Sequence, residues 1–314
     1  MYLLGFDIGG TKCAVITAEW NGEEVTLLQK KKCPTERIAP EAMLAKLIDM
    51  ADSILDGKPD AIGISCGGPL DAELGIIQSP PNLPLWDDVH VTEILEAHYG
   101  VPAKLQNDAN ACAVAEWKFG AGRGTKNMIF LTFGTGLGAG LILDGRLYGG
   151  TNGNAGETGH IRMAPSGPVG YGKAGSLEGF CSGGGLSQLG YAMACEAVKG
   201  GVTPSYFKEG MQQTDVTALS VAQAADAGDE TALAVYAKCG SYLGKGLAIL
   251  IDLFNPEAIV IGSIFARSGH LLRESMQKEI DNEALPASAK VCRVLPAALG
   301  EQIGDYAAVA TAIL

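Results

Sequence analysis

No stretch of the 314-residue chain approaches the ~20 consecutive apolar residues that cross a bilayer. The opening, MYLLGFDIGG, has no basic n-region and reaches Asp7 too early for a signal peptide, so no leader is expected. Positive charge is in short supply: 23 Lys and Arg stand against 35 Asp and Glu, a formal net charge of −12. Such a chain repels nucleic acid and anionic lipid, so neither nucleic acid nor a membrane is an expected partner. No CxxC or CxC pair occurs among Cys13, Cys33, Cys66, Cys112, Cys181, Cys195, Cys239 and Cys292. Thiols spread in this way suit a reducing compartment, and the cytoplasm is predicted. Also missing are the P-loop pattern, GxxxxGK followed by Ser or Thr, and the protein-kinase signature set, so neither chemistry is expected in those forms.

What is abundant is glycine. Much of its 43 residues falls in short clusters beside apolar strands, where backbone can approach a ligand closely. A composition of 47% hydrophobic and 18% charged residues is that of a globular chain. The length exceeds what one core usually serves, which predicts two domains. Tyr2–Ile8 and Cys13–Ala18 read as strands joined by a hairpin turn carrying Gly9, Gly10, Thr11 and Lys12, with Glu24–Lys30 as a third strand. Residues 40–56 place Met43, Leu44, Leu47, Ile48 and Ala51 at the spacing of an amphipathic helix.

Ala61–Ser65 reads as a short buried strand, and the proline-rich Ser79–Trp86 as an ordered loop. A helix over Val91–His98 and a strand over Ala103–Leu105 lead to Asn107-Asp108, followed by a helix over Ala111–Lys118. The second half opens with strand Met128–Phe133, the loop Gly134–Gly138 and strand Ala139–Leu143, closed by an Asp144-Gly145 hairpin turn. After a glycine-laden segment, 149–185, the remainder reads as mainly helical with one strand, Ala258–Ile261. Each half begins with a strand, a Gly-Thr turn and another strand. That echo predicts a duplicated unit and two α/β domains facing each other across a central cleft.

Three groups of residues carry chemistry. A glycine-rich hairpin turn points successive backbone N–H groups at a phosphate, a Thr hydroxyl adds a donor, and Lys12 adds a positive charge. One such turn is common in proteins without phosphate ligands; two at matching places are a stronger signal. Asp108 follows a strand and precedes a helix, where it is either an N-cap or the base that takes the proton of an attacking hydroxyl. Glu157 and His160 lie three apart in a stretch too rich in glycine for a plain helix, with Glu178 further on. They form a candidate hydrogen-bonding fork for sugar hydroxyls. A metal there lacks an evident fourth ligand, so none is expected.

Taken together, DIGGTK (7–12), GPLD (68–71), PPNLPLW (80–86), NDANA (107–111), FGTGLGAG (133–140), AGETGH (155–160), GSLE (175–178) and PEAIVIGS (256–263) resemble the ROK family of sugar kinases and sugar-responsive repressors. The resemblance covers nearly the whole chain. It implies the two-domain actin/hexokinase-like (ribonuclease H-like) ATPase fold with a central cleft. The expected division is a small α/β domain of residues 1–108 plus 300–314 and a large one of residues 109–299. It implies ATP and Mg2+ as cofactors, a hexose as substrate and a homodimer. Asp108 matches the family's catalytic base. Asn82, Asn107, Glu157, His160 and Glu178, with backbone near Gly68, match its sugar ligands. Gly10, Thr11 and Lys12 match the first phosphate loop, and Thr135 and Gly136 the second. Gly262 and Ser263 match the adenosine pocket, where the family usually carries a third glycine.

One departure is large. The family's CxCGxxGC zinc motif is replaced here by the Val169–Ser176 stretch, which has no thiolate. Tetrahedral zinc is therefore not expected, and Tyr171 is expected to pack against the loop in its stead. The alternatives within the family are a sugar-binding regulator and a catalytically silent sugar sensor. Repressors of the family carry about eighty residues of helix-turn-helix before the first strand, whereas the first strand here starts at residue 2. Intact phosphate turns and Asp108 favour the kinase.

Overall fold

Leu3, Leu4, Phe6 and Ile8 leave an apolar side chain on both faces of the first strand, the pattern of a strand buried on two sides. The structure, a computed structural model, describes residues 1–36 and 38–314. In chain order it begins with β1 (Tyr2–Ile8), β2 (Lys12–Trp20), β3 (Val25–Pro34), α1 (Pro40–Asp52), β4 (Ala61–Cys66), β5 (Leu70–Asp71), β6 (Ile76–Ile77) and β7 (Val89–His90). Next come α2 (Val91–Tyr99), β8 (Ala103–Asn107), α3 (Asp108–Phe119), β9 (Met128–Leu131), β10 (Ala139–Leu143), β11 (Arg146–Leu147), β12 (Val169–Gly170) and β13 (Lys173–Ala174). The chain ends with α4 (Leu177–Phe180), α5 (Gly183–Lys199), α6 (Ala218–Asp226), α7 (Glu230–Phe254), β14 (Ala258–Ile261), α8 (Ile264–Glu283), α9 (Pro286–Ala289), β15 (Arg293–Pro296) and α10 (Ile303–Ala312). Among the described residues no helix is long and apolar enough to cross a membrane.

The chain forms two compact units. One comprises Met1–Lys126, Gly140–Ala155 and Ala298–Leu314; the other comprises Asn127–Ala139 and Gly156–Ala297. In the first, a five-stranded sheet runs in the order β3-β2-β1-β4-β8. β1, β2 and β3 are antiparallel neighbours, while β1, β4 and β8 run parallel. Leu4, Phe6 and Ile8 point to a core shared with Met43, Leu44, Leu47 and Leu95. Leu3 and Ile16 point the other way, to Ala308, Val309 and Ala312.

That second face explains two glycines. Gly5 and Gly63 are register partners in β1 and β4, and a Cβ on Gly63 would lie 2.5 Å from the Ala312 nitrogen. The alanine-rich α10 thus lies directly on bare backbone. Gly63→Ala is expected to destabilise the protein by about 1–3 kcal/mol, the cost of overpacking a close helix–sheet contact. Denaturant unfolding indistinguishable from the wild type would show that α10 can move away freely.

In the second unit, β14 lies between β9 and β15 and is parallel to both. The parallel triple of the first half is therefore repeated. Gly240 and Gly244 of α7 bring that helix against α8, where a Cβ at 240 would stand 2.6 Å from the Leu272 carbonyl oxygen.

Several boundaries differ from the periodicity. β15 falls where only helix was expected, because its RVLP segment is half-buried and shows no alternation. α1 stops at Asp52, although Ile54 continues the apolar spacing and is itself buried. β3 extends to Pro34, β9 stops at Leu131, and α3 starts at Asp108, three residues before its predicted start.

Candidate active site

In the first unit the β1–β2 turn is closed by Gly9 N–H donating to the Lys12 carbonyl, 3.2 Å. Thr35, just beyond β3, braces it: its hydroxyl donates to Gly9 O at 2.5 Å and its N–H to Thr11 O at 3.0 Å. Gly10, Thr11 and Lys12 are left exposed. A side chain at Gly10 would collide with Asn82, whose backbone oxygen would lie 3.0 Å from the added Cβ. The first glycine turn and the proline-rich loop are thus brought into contact, which needs a residue without a side chain at 10.

The β8–α3 junction presents Asn107 and Asp108. Asn107, not Asp108, is the N-cap of α3: its side-chain oxygen accepts from Ala109 N–H at 3.0 Å. Asp108 is the first helical residue, solvent-exposed, with Oδ1 accepting from the same Ala109 N–H at 2.8 Å. A Cβ on Gly68 would meet the Asn107 amide nitrogen at 3.2 Å, and one on Gly67 would lie 4.0 Å from Asp108 Oδ2. The Gly68–Pro69 peptide is cis.

Asp7, absent from the sequence-derived set, joins these groups. Burial, followed by the negative charges of Asp305 and Asp108, pushes its carboxyl up to about 6, against the opposing pull of Lys30 and Lys12. Asp305 is itself buried and held by Lys30 Nζ at 2.6 Å. DIGGTK and NDANA therefore share one electrostatic site. An acidic residue at the end of a buried strand, directly before the glycine turn, was the available signal for Asp7.

In the second unit the loop after β9 folds on itself. Thr132 N–H donates to Gly138 O at 2.9 Å, Gly138 N–H donates to the Thr132 hydroxyl at 2.9 Å, and Gly134 N–H donates to Gly136 O at 2.9 Å. Glu178, at the start of α4, accepts from Leu137 N–H at 2.9 Å. Its Oε2 would lie 2.7 Å from a Cβ on Gly136, and its own Cβ 3.2 Å from one on Gly159. Glu178 thus joins the FGTGLG loop to the short 3-10 turn Thr158–His160, which carries His160 with Glu157 just before it. Glu157 and His160 are both exposed.

Thr135 and Ser263 line one cavity of about 540 Å³ with Gly134, Gly183, Thr217 and Arg267. Gly136 and Gly262 are not among its lining residues. The N-terminus of α5 forms part of its wall. Ser182 caps that helix, and Gly183 N–H donates to Gly134 O at 2.8 Å. The glycine run 183–185, which opens α5, was a signal that the sequence reading passed over.

The stretch lacking zinc ligands is held by hydrogen bonds. β12 and β13 pair as a hairpin whose two-residue turn is Tyr171-Gly172. Gln188 clasps Val169 at both ends, accepting from its N–H at 2.8 Å and donating to its carbonyl at 2.9 Å. Arg162 donates to Ala174 O at 2.8 Å, and Lys173 Nζ to His160 O at 2.6 Å. The His160 and Tyr171 rings meet near-perpendicular, centroids 5.5 Å apart. Among the described residues no three His, Cys, Asp or Glu side chains are grouped to hold a metal. Cys181, the nearest thiol in sequence, is buried and directed at the Cys239 carbonyl. We predict that zinc chelators, with magnesium kept in excess, leave the melting temperature unchanged. One tightly held zinc per chain by elemental analysis, with unfolding on its removal, would overturn this.

The ROK family profile matches residues 3–313. A glucokinase of Halalkalibacterium halodurans is 34% identical over 312 residues, 96% of this chain and 92% of that protein. The crystal structure of a ROK family glucokinase from Streptomyces griseus, in complex with glucose and AMPPNP, superposes with a TM-score of 0.79 at 29% identity, covering 100% of this chain and 99% of that one. A ROK family transcriptional regulator, homologous to the E. coli MLC protein, superposes with a TM-score of 0.84 at 26% identity, covering 99% of this chain and 78% of that one.

Proposed function

Since the chain belongs to the ROK family, whose glucokinases resemble it over nearly their full length, we propose that it is an ATP-dependent hexose kinase with Asp108 as catalytic base. The observation that carries this reading is at the β8–α3 junction. Asn107 serves as the helix cap, and Asp108 stands exposed beside it, close enough for its charge to act on Asp7. In this reading Asp108 accepts the proton of the attacking hydroxyl as the γ-phosphoryl group transfers. Gly68, Asn82, Asn107, Glu157, His160 and Glu178 orient the hexose. The turns at Gly10, Thr11 and Lys12 and at Thr135 and Gly136 hold phosphate through backbone N–H groups and the Lys12 charge. The cavity lined by Thr135 and Ser263, with Gly262 beside it in sequence, takes the nucleoside.

Magnesium fits the donor set. The Asp7 carboxyl is raised by burial first and then by the negative charges of Asp305 and Asp108, and a divalent cation would relieve that part of the cost which comes from like charge. With so few protein ligands grouped, substrate phosphates and water would complete the shell around Asp7 and Asp108. The ion would supply charge neutralisation at the phosphates. We place the enzyme in the cytoplasm as a homodimer, with neither nucleic acid nor a membrane as partner.

A coupled ADP-release assay across a panel of hexoses tests the activity. The second reading, a sugar-responsive regulator without turnover, draws on the TM-score of 0.84 to a ROK regulator. Hexose binding by calorimetry with no ADP released for any sugar would select it.

A further inference from the structure

Tyr171 occupies the first position of the β12–β13 hairpin turn, with φ at +42° and Gly172 following at +75°. Positive φ at both turn positions favours Asn-Gly or Gly-Gly. A bulky aromatic there is out of place. The side chain is also 71% exposed, so burial does not offset the backbone cost. Strain retained without a packing return is characteristic of functional positions. Among the described residues the one ring that Tyr171 meets is that of His160, which is exposed as well. Lys173, in the strand just after the turn, grips the His160 carbonyl. The hairpin and the 3-10 turn therefore present the two rings as one fastened piece.

We propose that Tyr171 is a hexose-recognition residue, whose ring fixes the orientation of the His160 imidazole and offers its open surface to the C–H face of a neutral pyranose. It thereby does through an aromatic contact what a metal-tied His would do through coordination. The inference rests on the hexose-kinase reading, and the ligand class follows from the chemistry. A phenol ring provides an apolar surface without charge, which suits a sugar's apolar face better than a phosphate or carboxylate.

The test compares Tyr171→Phe, which keeps the ring, with Tyr171→Asn, which removes it and suits the left-handed turn. Tyr171→Phe should bind the hexose with wild-type affinity. Tyr171→Asn should weaken hexose binding by about three- to tenfold, read as calorimetric Kd and as KM. Its KM for ATP should stay within twofold, and its melting temperature should hold or rise as the strain is relieved. A Tyr171→Asn variant with an unaltered hexose Kd would overturn the proposal, as would one whose ATP and hexose KM rise together or whose melting temperature falls. A wild-type protein that binds hexose without turnover leaves the Kd comparison decisive while refuting the kinase reading. A wild-type protein that binds no hexose refutes both.

Discussion

Asp108→Asn should leave a folded protein that binds hexose but turns over about 10²- to 10⁴-fold more slowly, the usual range for loss of a general base. The amide is near-isosteric with the carboxylate yet cannot take the proton of the attacking hydroxyl. The structure sharpens the expectation for stability. Asn107 caps α3, so Asp108→Asn should shift the melting temperature little, whereas Asn107→Ala should cost about 0.5–2 kcal/mol as a lost cap. Steady-state kinetics and thermal unfolding of both variants check the pair. Near wild-type kcat in Asp108→Asn would remove the base from the proposal.

The second large effect separates two glutamates. Each would accept from a sugar hydroxyl, and a charged hydrogen bond is worth roughly 1.5–3 kcal/mol, so Glu157→Ala and Glu178→Ala should each raise the hexose KM by about ten- to a hundredfold. They should differ toward ATP. The Glu178 carboxylate also accepts from Leu137 N–H inside the FGTGLG loop, so Glu178→Ala should raise the KM for ATP as well and lower kcat. Glu157 has no such tie to that loop, and its variant should leave the KM for ATP within twofold. Equal ATP effects in both variants would show that the loop is not positioned through Glu178. Unchanged hexose binding in both would show that this segment is not the sugar site.

How legible these features were depends on their range. The β1–β2 hairpin, the apolar stripe of α1 and the Asp144-Gly145 turn follow from residues within one or two turns of each other, and the structure places them as the pattern predicts. β15 was missed because a short half-buried strand has no periodicity of its own; it is a strand because β14 offers an unpaired edge. Asp7 was overlooked because its elevated proton affinity comes from burial and from carboxylates about 100 and 300 positions away in sequence.

The sequence by itself determined the acidic charge, the alternation of strands and helices, the two glycine turns and the absence of thiolates where zinc would be bound. Each is a matter of composition or of near neighbours, acting through local sterics and chemistry. Only the tertiary structure decided that Asn107 rather than Asp108 caps α3, that Asn82 rests on Gly10, and that Glu178 reaches Leu137, 41 residues away. It also decided that Gly5 and Gly63, unremarkable in their own strands, form the bare surface on which α10 lies. A hydrogen bond or a close approach between distant segments depends on strand register and helix packing, and these arise from the whole core at once and not from any window of the chain.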